Sequence, residues 1–462
     1  MLLIVDHYTH KGDAVAYLPA PQEGKALLSA GVPGDTVEAN LGRMRRGKCQ
    51  GWVQEVVEPS SLRVIPRCAH VPLCGGCRFQ EMDYQAQLLL KEKWVKELFQ
   101  TTVSPSTTLH PILGCAEPWQ YRNKMEFTFS QDKEGTRYLG LFMWGSRGKV
   151  FNLQECHLVS PWFQEAVAAT RTWWESTTLR DFYPHKNTGS LRTLTLREGH
   201  HTKSQLAILT VSGHPDFALS YKEMQQWAQE MRKLNEDTSC FICIHQAIPK
   251  EPTRFYEIHL SGPECLLEEL HLPHTTLSLQ ISPRSFFQPN TKQAEVLYTR
   301  ALALANVSSQ DHVLDLYCGT GTIGMAFASS VAQVTSIEIN PYAVLDAQAN
   351  CDRNNLSNIR FLKGDAGEKL QEVLQENASF DMIILDPPRT GLGLKALQIV
   401  LQAQAPRILY IACNPKTQAE EVKILLQNGY TLEALQPVDQ FPHTPHIENI
   451  ALLTKTTSNF SK

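Results

Sequence analysis

The chain has 462 residues, 42% hydrophobic and 19% charged, with a formal charge of −4 at neutral pH. That length exceeds one ordinary core, so two or three domains are expected, and the lack of any apolar run of about eighteen residues excludes a helical membrane span. The acidity excludes a uniformly basic nucleic-acid binder, but the segment from Phe286 to Lys462 carries the whole acidic excess and leaves the front of the chain balanced.

Met1-Leu2-Leu3-Ile4-Val5-Asp6-His7 has no basic region, and its apolar stretch is too short for a secretory signal. A cytoplasmic location is expected. In that compartment 12 cysteines suggest metal binding or catalysis for some of them, in place of disulfides.

Residues 1–58 alternate short β-like runs with turns. Ala14–Leu18, Thr36–Leu41 and Gly51–Val57 are strand candidates, and Gly31-Val32-Pro33-Gly34-Asp35 is a turn. The spacing predicts a small OB-like barrel, a shape that grips single-stranded nucleic acid. Arg43, Arg45, Arg46 and Lys48 lie in a stretch with no acid between Ala39 and Gln54. Bound RNA would be held here, although a solvated turn explains these charges equally well.

Residues 59–284 read as a central α+β domain. Cys68, Cys74 and Cys77, the last two separated by Gly75-Gly76, can face one point, and a closed site needs a fourth thiolate. Cys156 is the candidate because it sits just before a Ser-Pro helix start. Spacing does not separate zinc from iron–sulfur. Asp83 to Phe99 is amphipathic and helical, with Leu88, Leu89, Trp94, Val95 and Leu98 available for burial. Tyr121 to Phe129 alternates, placing Arg122 and Lys124 on one face and aromatics on the other. Cys240 and Cys243 lie in an apolar run without turn glycines and read as core.

Residues 285–462 alternate strands and helices. Strands are expected over His312–Tyr317, Gln333–Ile339, Asn358–Lys363, Phe380–Leu385, Arg407–Ala412, Thr431–Val438 and Ile447–Thr454. A non-helical connection joins the last two, which predicts a seven-stranded, doubly wound, Rossmann-like sheet with an antiparallel final pair.

The chemistry concentrates at strand ends. Asp315-Leu316-Tyr317-Cys318-Gly319-Thr320-Gly321 follows the first of these strands and lets a ligand approach the backbone. Glu338 ends the second, placed for ribose hydroxyls, and Asp365 follows the third, placed for an adenine edge. No basic residue stands in the glycine turn to hold a pyrophosphate, which favours S-adenosylmethionine over NAD or ATP. Asp386-Pro387-Pro388-Arg389 presents a carboxylate to a planar substrate, with Arg389 where amino-methyltransferases often have a stacking aromatic.

The fifth strand stops at Cys413, where Asn414-Pro415 is expected to end both strand and helix. A thiol at that rim is either a core residue or a nucleophile. Pyrimidine C5 attacks a sulfonium methyl only after a thiolate has added at C6, and a base must then remove the C5 proton. Glu448, reached through the stiff Phe441–Ile447 loop, fits that base. His443 and His446 in the loop have no ligand spacing to support a metal.

These stretches, with Pro442-His443-x-x-His446-x-Glu448, resemble the RNA 5-methyluridine methyltransferases, and in particular their iron–sulfur ribosomal-RNA branch. Gly31–Asp35 and its flanks resemble that family's TRAM barrel. The resemblance implies a [4Fe–4S] cluster on Cys68, Cys74, Cys77 and Cys156, Cys413 as nucleophile and Glu448 as base. It further implies cofactor contacts at Gln288, Tyr317, Gly319, Glu338, Asp365 and Asp386, and substrate contacts at Phe286, Asp386 and Arg389. The implied partner is 23S ribosomal RNA, acted on by a monomer without a membrane or an obligate protein partner. The departures are Glu338-Ile339-Asn340, Thr322 and Pro445, none of which removes a reacting group. Methylation of transfer RNA at the same atom, and a non-catalytic RNA-binding or assembly factor, are the competing readings.

Overall fold

A computed structural model describes residues 1–20, 23–146, 148–247, 251–376 and 378–456. Strands β1 (Leu2–Ile4), β2 (His7–Tyr8), β3 (Ala14–Leu18), β4 (Gly24–Leu28), β5 (Thr36–Leu41) and β6 (Lys48–Glu58) form a six-stranded sheet ordered β1-β5-β6-β4-β3-β2. The hydrogen-bonded order runs from β1 to β2, and β1 also lies against β3, so the sheet curls on itself in the manner expected of a small OB-like barrel without a continuous ladder between its end strands. Alternate side chains Ala26, Leu28, Val37 and Ala39 are buried, as a half-covered sheet requires. The Gly31–Asp35 turn works through fully buried Asp35, which accepts from Val32 N at 2.6 Å and Ser60 N at 2.8 Å and pairs with Arg63 at 2.6 Å. Burial pushes that carboxyl up, but Arg63 and the two N–H donors hold it below its ordinary value.

Helix α1 (Tyr84–Phe99) is capped by Asp83, whose Oδ1 accepts from Gln85 N and Ala86 N. Its buried stripe includes Leu88, Trp94, Val95 and Phe99 but also the polar Gln87 and Lys91, while Leu89, expected inside, is 69% exposed. After β7 (Thr108–Leu109) come β8 (Lys124–Gln131), β9 (Arg137–Phe142), β10 (Val150–Asn152), α2 (Pro161–Glu175), β11 (Leu191–Glu198), β12 (Gln205–Ser212), α3 (Tyr221–Leu234), β13 (Ser239–Gln246) and β14 (Arg254–Ser261). Seven of these strands form a sheet ordered β10-β9-β8-β11-β12-β13-β14, with α2 and α3 packed together and their Trp174 and Trp227 fully buried. Cys240 and Cys243 lie buried on β13.

A hairpin, β15 (Leu266–Leu272) and β16 (Thr275–Ile281), leads to α4 (Thr291–Ala305). Then follow β17 (His312–Leu316), α5 (Thr322–Ala328), β18 (Gln333–Glu338), α6 (Pro341–Arg353), β19 (Ile359–Lys363), α7 (Ala366–Gln375), β20 (Met382–Leu385), α8 (Gly393–Gln402), β21 (Arg407–Ala412), α9 (Pro415–Gln427), β22 (Tyr430–Val438) and β23 (Glu448–Lys455). Their sheet is ordered β19-β18-β17-β20-β21-β23-β22-β7, parallel through β21 and antiparallel at β23. It has eight strands where seven were expected, because Thr108 and Leu109 pair in parallel with Ala434 and Leu435. The strand order reverses between β17 and β20, and a crevice opens at the carboxyl ends of such a pair. Among the described residues no helix is long and apolar enough to cross a membrane.

Candidate active site

The glycine turn sits at that crevice. Tyr317 leaves β17 with φ of 64°, and its N–H donates to Ile337 O at 3.0 Å. Gly319, with φ of 54°, has no atom within 4 Å of where a Cβ would stand, so its backbone borders open space. Gly324 is a glycine for the opposite reason: a Cβ there would come within 3.0 Å of both Asp315 Oδ2 and Ser336 Oγ. The first position leaves room for a ligand, and the second lets α5 press on the sheet.

Glu338 accepts from Gly319 N at 2.9 Å and from Asn340 N at 2.8 Å, which fixes its carboxylate beside the turn while each oxygen retains accepting capacity. Asp365 is exposed and caps α7, its Oδ1 accepting from Gly367 N at 3.0 Å and Glu368 N at 3.1 Å. That cap is reason enough for an acid at this position. Gln288 is buried, and its carbonyl accepts from Asn123 Nδ2 at 2.9 Å. Phe286 is 62% exposed, with its carbonyl 3.4 Å from Thr320 Oγ1 beside the glycine turn.

Three acids crowd the next strand ends. Asp315 is fully buried in β17; Oδ2 accepts from Gly324 N at 3.1 Å and Oδ1 has no partner among the described residues. Burial, then the charge of Asp386, pushes it up to about 8. Asp386, just beyond β20, is pushed up to about 7 by burial. Glu448, 3% exposed at the start of β23, is raised well above the carboxylate range by burial and then by Asp386, with Arg389 opposing. Cys413 is half-buried, and burial followed by Glu448 and Asp386 pushes its thiol up to about 12 against the pull of Arg389. Cys413 feels Glu448, Asp386 and Arg389, and Glu448 feels Asp386 and Arg389, so the four groups share one place.

Asn414-Pro415 does something other than stop the chain. Pro415 opens α9, because the first turn of a helix needs no proline N–H. Asn414 Nδ2 donates to Arg389 O at 2.9 Å and Thr417 Oγ1 at 2.7 Å, tying the β21 exit to the Asp386–Arg389 turn. Arg389 is exposed, with Nη2 donating to His446 Nδ1 at 3.3 Å. Burial and then Arg389 push His446 down to about 4, leaving a neutral acceptor. Sequence reasoning quoted Asp315 only within a motif and missed the Arg389–His446 contact; a lone acid inside the apolar His312–Leu316 strand was the available signal for the first.

The sequence-predicted cysteines gather elsewhere. Cys68, Cys74, Cys77 and Cys156 line one cavity, together with Gln80 and Leu158. All four are free thiols. Burial raises each of them, Cys156 to about 11, and for Cys77 the other three thiols add to the effect. Cys68 N donates to Gln80 Oε1 at 2.7 Å, and Gly76 N to Cys74 Sγ at 3.4 Å. Four cysteines converging on one buried cavity, with a backbone N–H beside Cys74 Sγ, are a fit donor set for a positively charged metal centre, which would hold them as thiolates. The basic run Arg43, Arg45, Arg46 and Lys48 is exposed on the β5–β6 turn.

A family model described as tRNA (Uracil-5-)-methyltransferase matches residues 207–456. The chain is 45% identical to an uncharacterized RNA methyltransferase of Protochlamydia amoebophila over 92% of this chain and 98% of that one. It is 33% identical to one from Clostridium tetani over 93% of each. Its fold is similar to that of the Pyrococcus abyssi tRNA (uracil-54, C5)-methyltransferase solved with S-adenosyl-L-homocysteine, at a TM-score of 0.70 and 23% identity, covering 98% of this chain and 100% of that one.

Proposed function

The chain belongs to the tRNA (uracil-5-)-methyltransferase family of RNA methyltransferases, and we propose that it methylates C5 of a uridine in 23S ribosomal RNA through a covalent bond from Cys413. The observation that carries this reading is the β21–β23 register. Ala412 pairs with Asn449, so the next step outward sets Cys413 opposite Glu448, beside Asp386 at the sheet's switch point.

S-adenosylmethionine supplies the methyl group on a sulfonium, and Gly319, Glu338 and the Asp386 turn would hold it, with Gln288 and Asp365 flanking. The protein's own part runs as follows. Cys413 gives its thiol proton to solvent, the thiolate bonds to uracil C6, and the C5=C6 electron pair moves onto the ring as an enolate. C5 then takes the methyl group. Glu448 accepts the C5 proton; the C–H pair forms C5=C6 again while the C6–S bond breaks and returns the thiolate. Arg389 opposes the raised pKa of both groups, and His446 steadies it. Phe286, exposed beside the turn, is suited to stack on an unpaired base turned out of its helix.

The four cysteines, which line one cavity, would hold a [4Fe–4S] cluster by the family resemblance, with zinc as the other centre that four thiolates suit. The cluster would tie the polypeptide together. We further assign residues 1–58 to RNA binding, 59–284 to the cysteine-bearing domain and 285–462 to methyl transfer.

A transfer-RNA target is the second reading, favoured by the fold likeness to a tRNA methyltransferase along the full length of both chains. Methyl transfer from labelled S-adenosylmethionine to ribosomal and transfer RNA transcripts, with the product position mapped, separates the two. Label in neither RNA would favour a non-catalytic factor.

A further inference from the structure

The loop between β22 and β23 delivers Glu448, and it is gripped from outside. Buried Asp439 takes Lys91 Nζ at 2.6 Å on one oxygen and Tyr84 OH at 2.8 Å on the other, and Lys91 also donates to Phe441 O at 3.1 Å. His443, held at φ of 64°, donates its N–H to Gln87 Oε1 at 3.0 Å and accepts Phe79 N at 3.0 Å. Tyr121 OH donates to Pro442 O at 3.1 Å, and Trp119 stacks on the His443 ring at 4.0 Å.

These gripping residues come from two stretches that each adjoin the cysteine cavity, one through Cys77 and Gln80 and the other through hydrogen bonds to His157 and Leu158. Phe79 follows Cys77 by two positions and leads into α1, which supplies Tyr84, Gln87 and Lys91. Trp119 and Tyr121 flank Gln120, whose N–H donates to His157 O at 2.9 Å, next to Cys156; Arg122 N donates to Leu158 O at 2.8 Å. Residues 59–83 form no helix or strand of their own. An irregular stretch that runs into α1 and a second irregular stretch thus hold a third, and the first two approach each other beside the cysteine centre.

Resting on the reading of Glu448 as base, we propose that the four-cysteine centre is a positioning device for that base: it locks residues 77–91 to residues 119–122, and this pair of jaws fixes the 439–446 loop and the Glu448 carboxylate. Cys413 hangs from β21 in the sheet and does not depend on the jaws. Loosening them therefore slows removal of the C5 proton while thiol addition and methyl transfer continue.

The test compares Tyr121→Phe, Gln87→Met and the paired Lys91→Met/Asp439→Leu change, which removes both buried charges together, with Cys74→Ser. Hydrogen exchange at residues 439–446, without RNA, should quicken in Cys74→Ser and in the three jaw variants. With labelled methyl donor and RNA, the jaw variants, keeping their metal, should lose about tenfold or more in kcat with KM for the methyl donor unchanged. They should accumulate methylated protein–RNA adduct on denaturing gels, as Glu448→Gln does. Unchanged exchange in Cys74→Ser, or a fall in kcat without adduct in the jaw variants, overturns the proposal. A raised KM for RNA with kcat intact also overturns it, in favour of an RNA-docking role. If the wild-type chain methylates uridine while Cys413→Ala does so equally well, the functional reading itself fails, and the proposal with it.

Discussion

Cys413 and Glu448 face each other one step beyond the last paired residues of β21 and β23, a thiol and a carboxyl on adjacent antiparallel strands. Both are raised in pKa by burial and by each other's surroundings, and both have Arg389 as the opposing charge. The guanidinium of Arg389 thus favours the charged form of each group against the burial that opposes it.

Single substitutions should separate the two roles. Cys413→Ala removes the bond to C6 and should lower methyl transfer by on the order of 10³-fold or more in single-turnover assays. Glu448→Gln should form the adduct and fail to resolve it, slowing turnover by roughly 10²–10⁴-fold while a methylated protein–RNA band builds up on denaturing gels. Wild-type turnover in either variant would contradict the assignment.

Acidity should matter to cofactor binding. Asp386 and Asp315, raised to about 7 and about 8, are mostly neutral in mildly acidic solution, and a bound sulfonium favours their charged forms. Affinity for S-adenosylmethionine should therefore rise between pH 6 and 8, by up to about tenfold per unit for one coupled proton, as measured by calorimetry. S-adenosylhomocysteine, with a neutral sulfur, should show a flatter profile. The same shifts govern stability in the opposite sense: the folded chain holds these protons more tightly than an unfolded one with pKa near ~3.9, so their contribution is lost as pH rises from about 4 to about 8. Asp315→Asn should gain stability relative to wild type at pH 8 and little at pH 4.

How much of this was legible depended on whether the signal was local. The buried runs of the carboxyl-terminal sheet, such as Arg407–Ala412, read directly as strands because apolar residues are bounded by turn residues, and the crevice followed from their order. Thr108–Leu109 was invisible: two exposed residues have no periodicity, and their pairing with β22 is a tertiary choice. Asn414-Pro415 was misread as a stop for helix as well as strand because proline is disfavoured only inside a helix and not at its first turn. Leu89 is apolar yet exposed, while Lys91 is buried, because its partner Asp439 lies far along the chain and no sequence window contains both.

The cysteine centre predicts composition. Anaerobically purified protein should carry iron and acid-labile sulfide in equal amounts with a brown colour, and Cys74→Ser should lose both and melt earlier. A colourless wild-type protein with one zinc would refute the cluster. Loss of colour should leave S-adenosylmethionine affinity within about twofold, since the crevice is built from the other sheet.

The basic turn should act through charge alone. Replacing Arg43, Arg45 and Arg46 with glutamine should weaken RNA binding about equally for all sequences and lower the slope of log affinity against log salt by about one per lost phosphate contact. An unchanged slope would return these residues to the solvated-turn reading.

The most direct measurement is trapping with RNA that carries 5-fluorouridine at the target position. Fluorine at C5 cannot be removed as a proton, so Glu448 has nothing to accept and the C6–S bond persists after methyl transfer. The account predicts a covalent complex with S-adenosylmethionine present, and mass analysis locating the RNA on the peptide that contains Cys413. If an enzyme that turns over the ordinary uridine RNA yields only non-covalent complex with the fluorinated one, the covalent mechanism is contradicted.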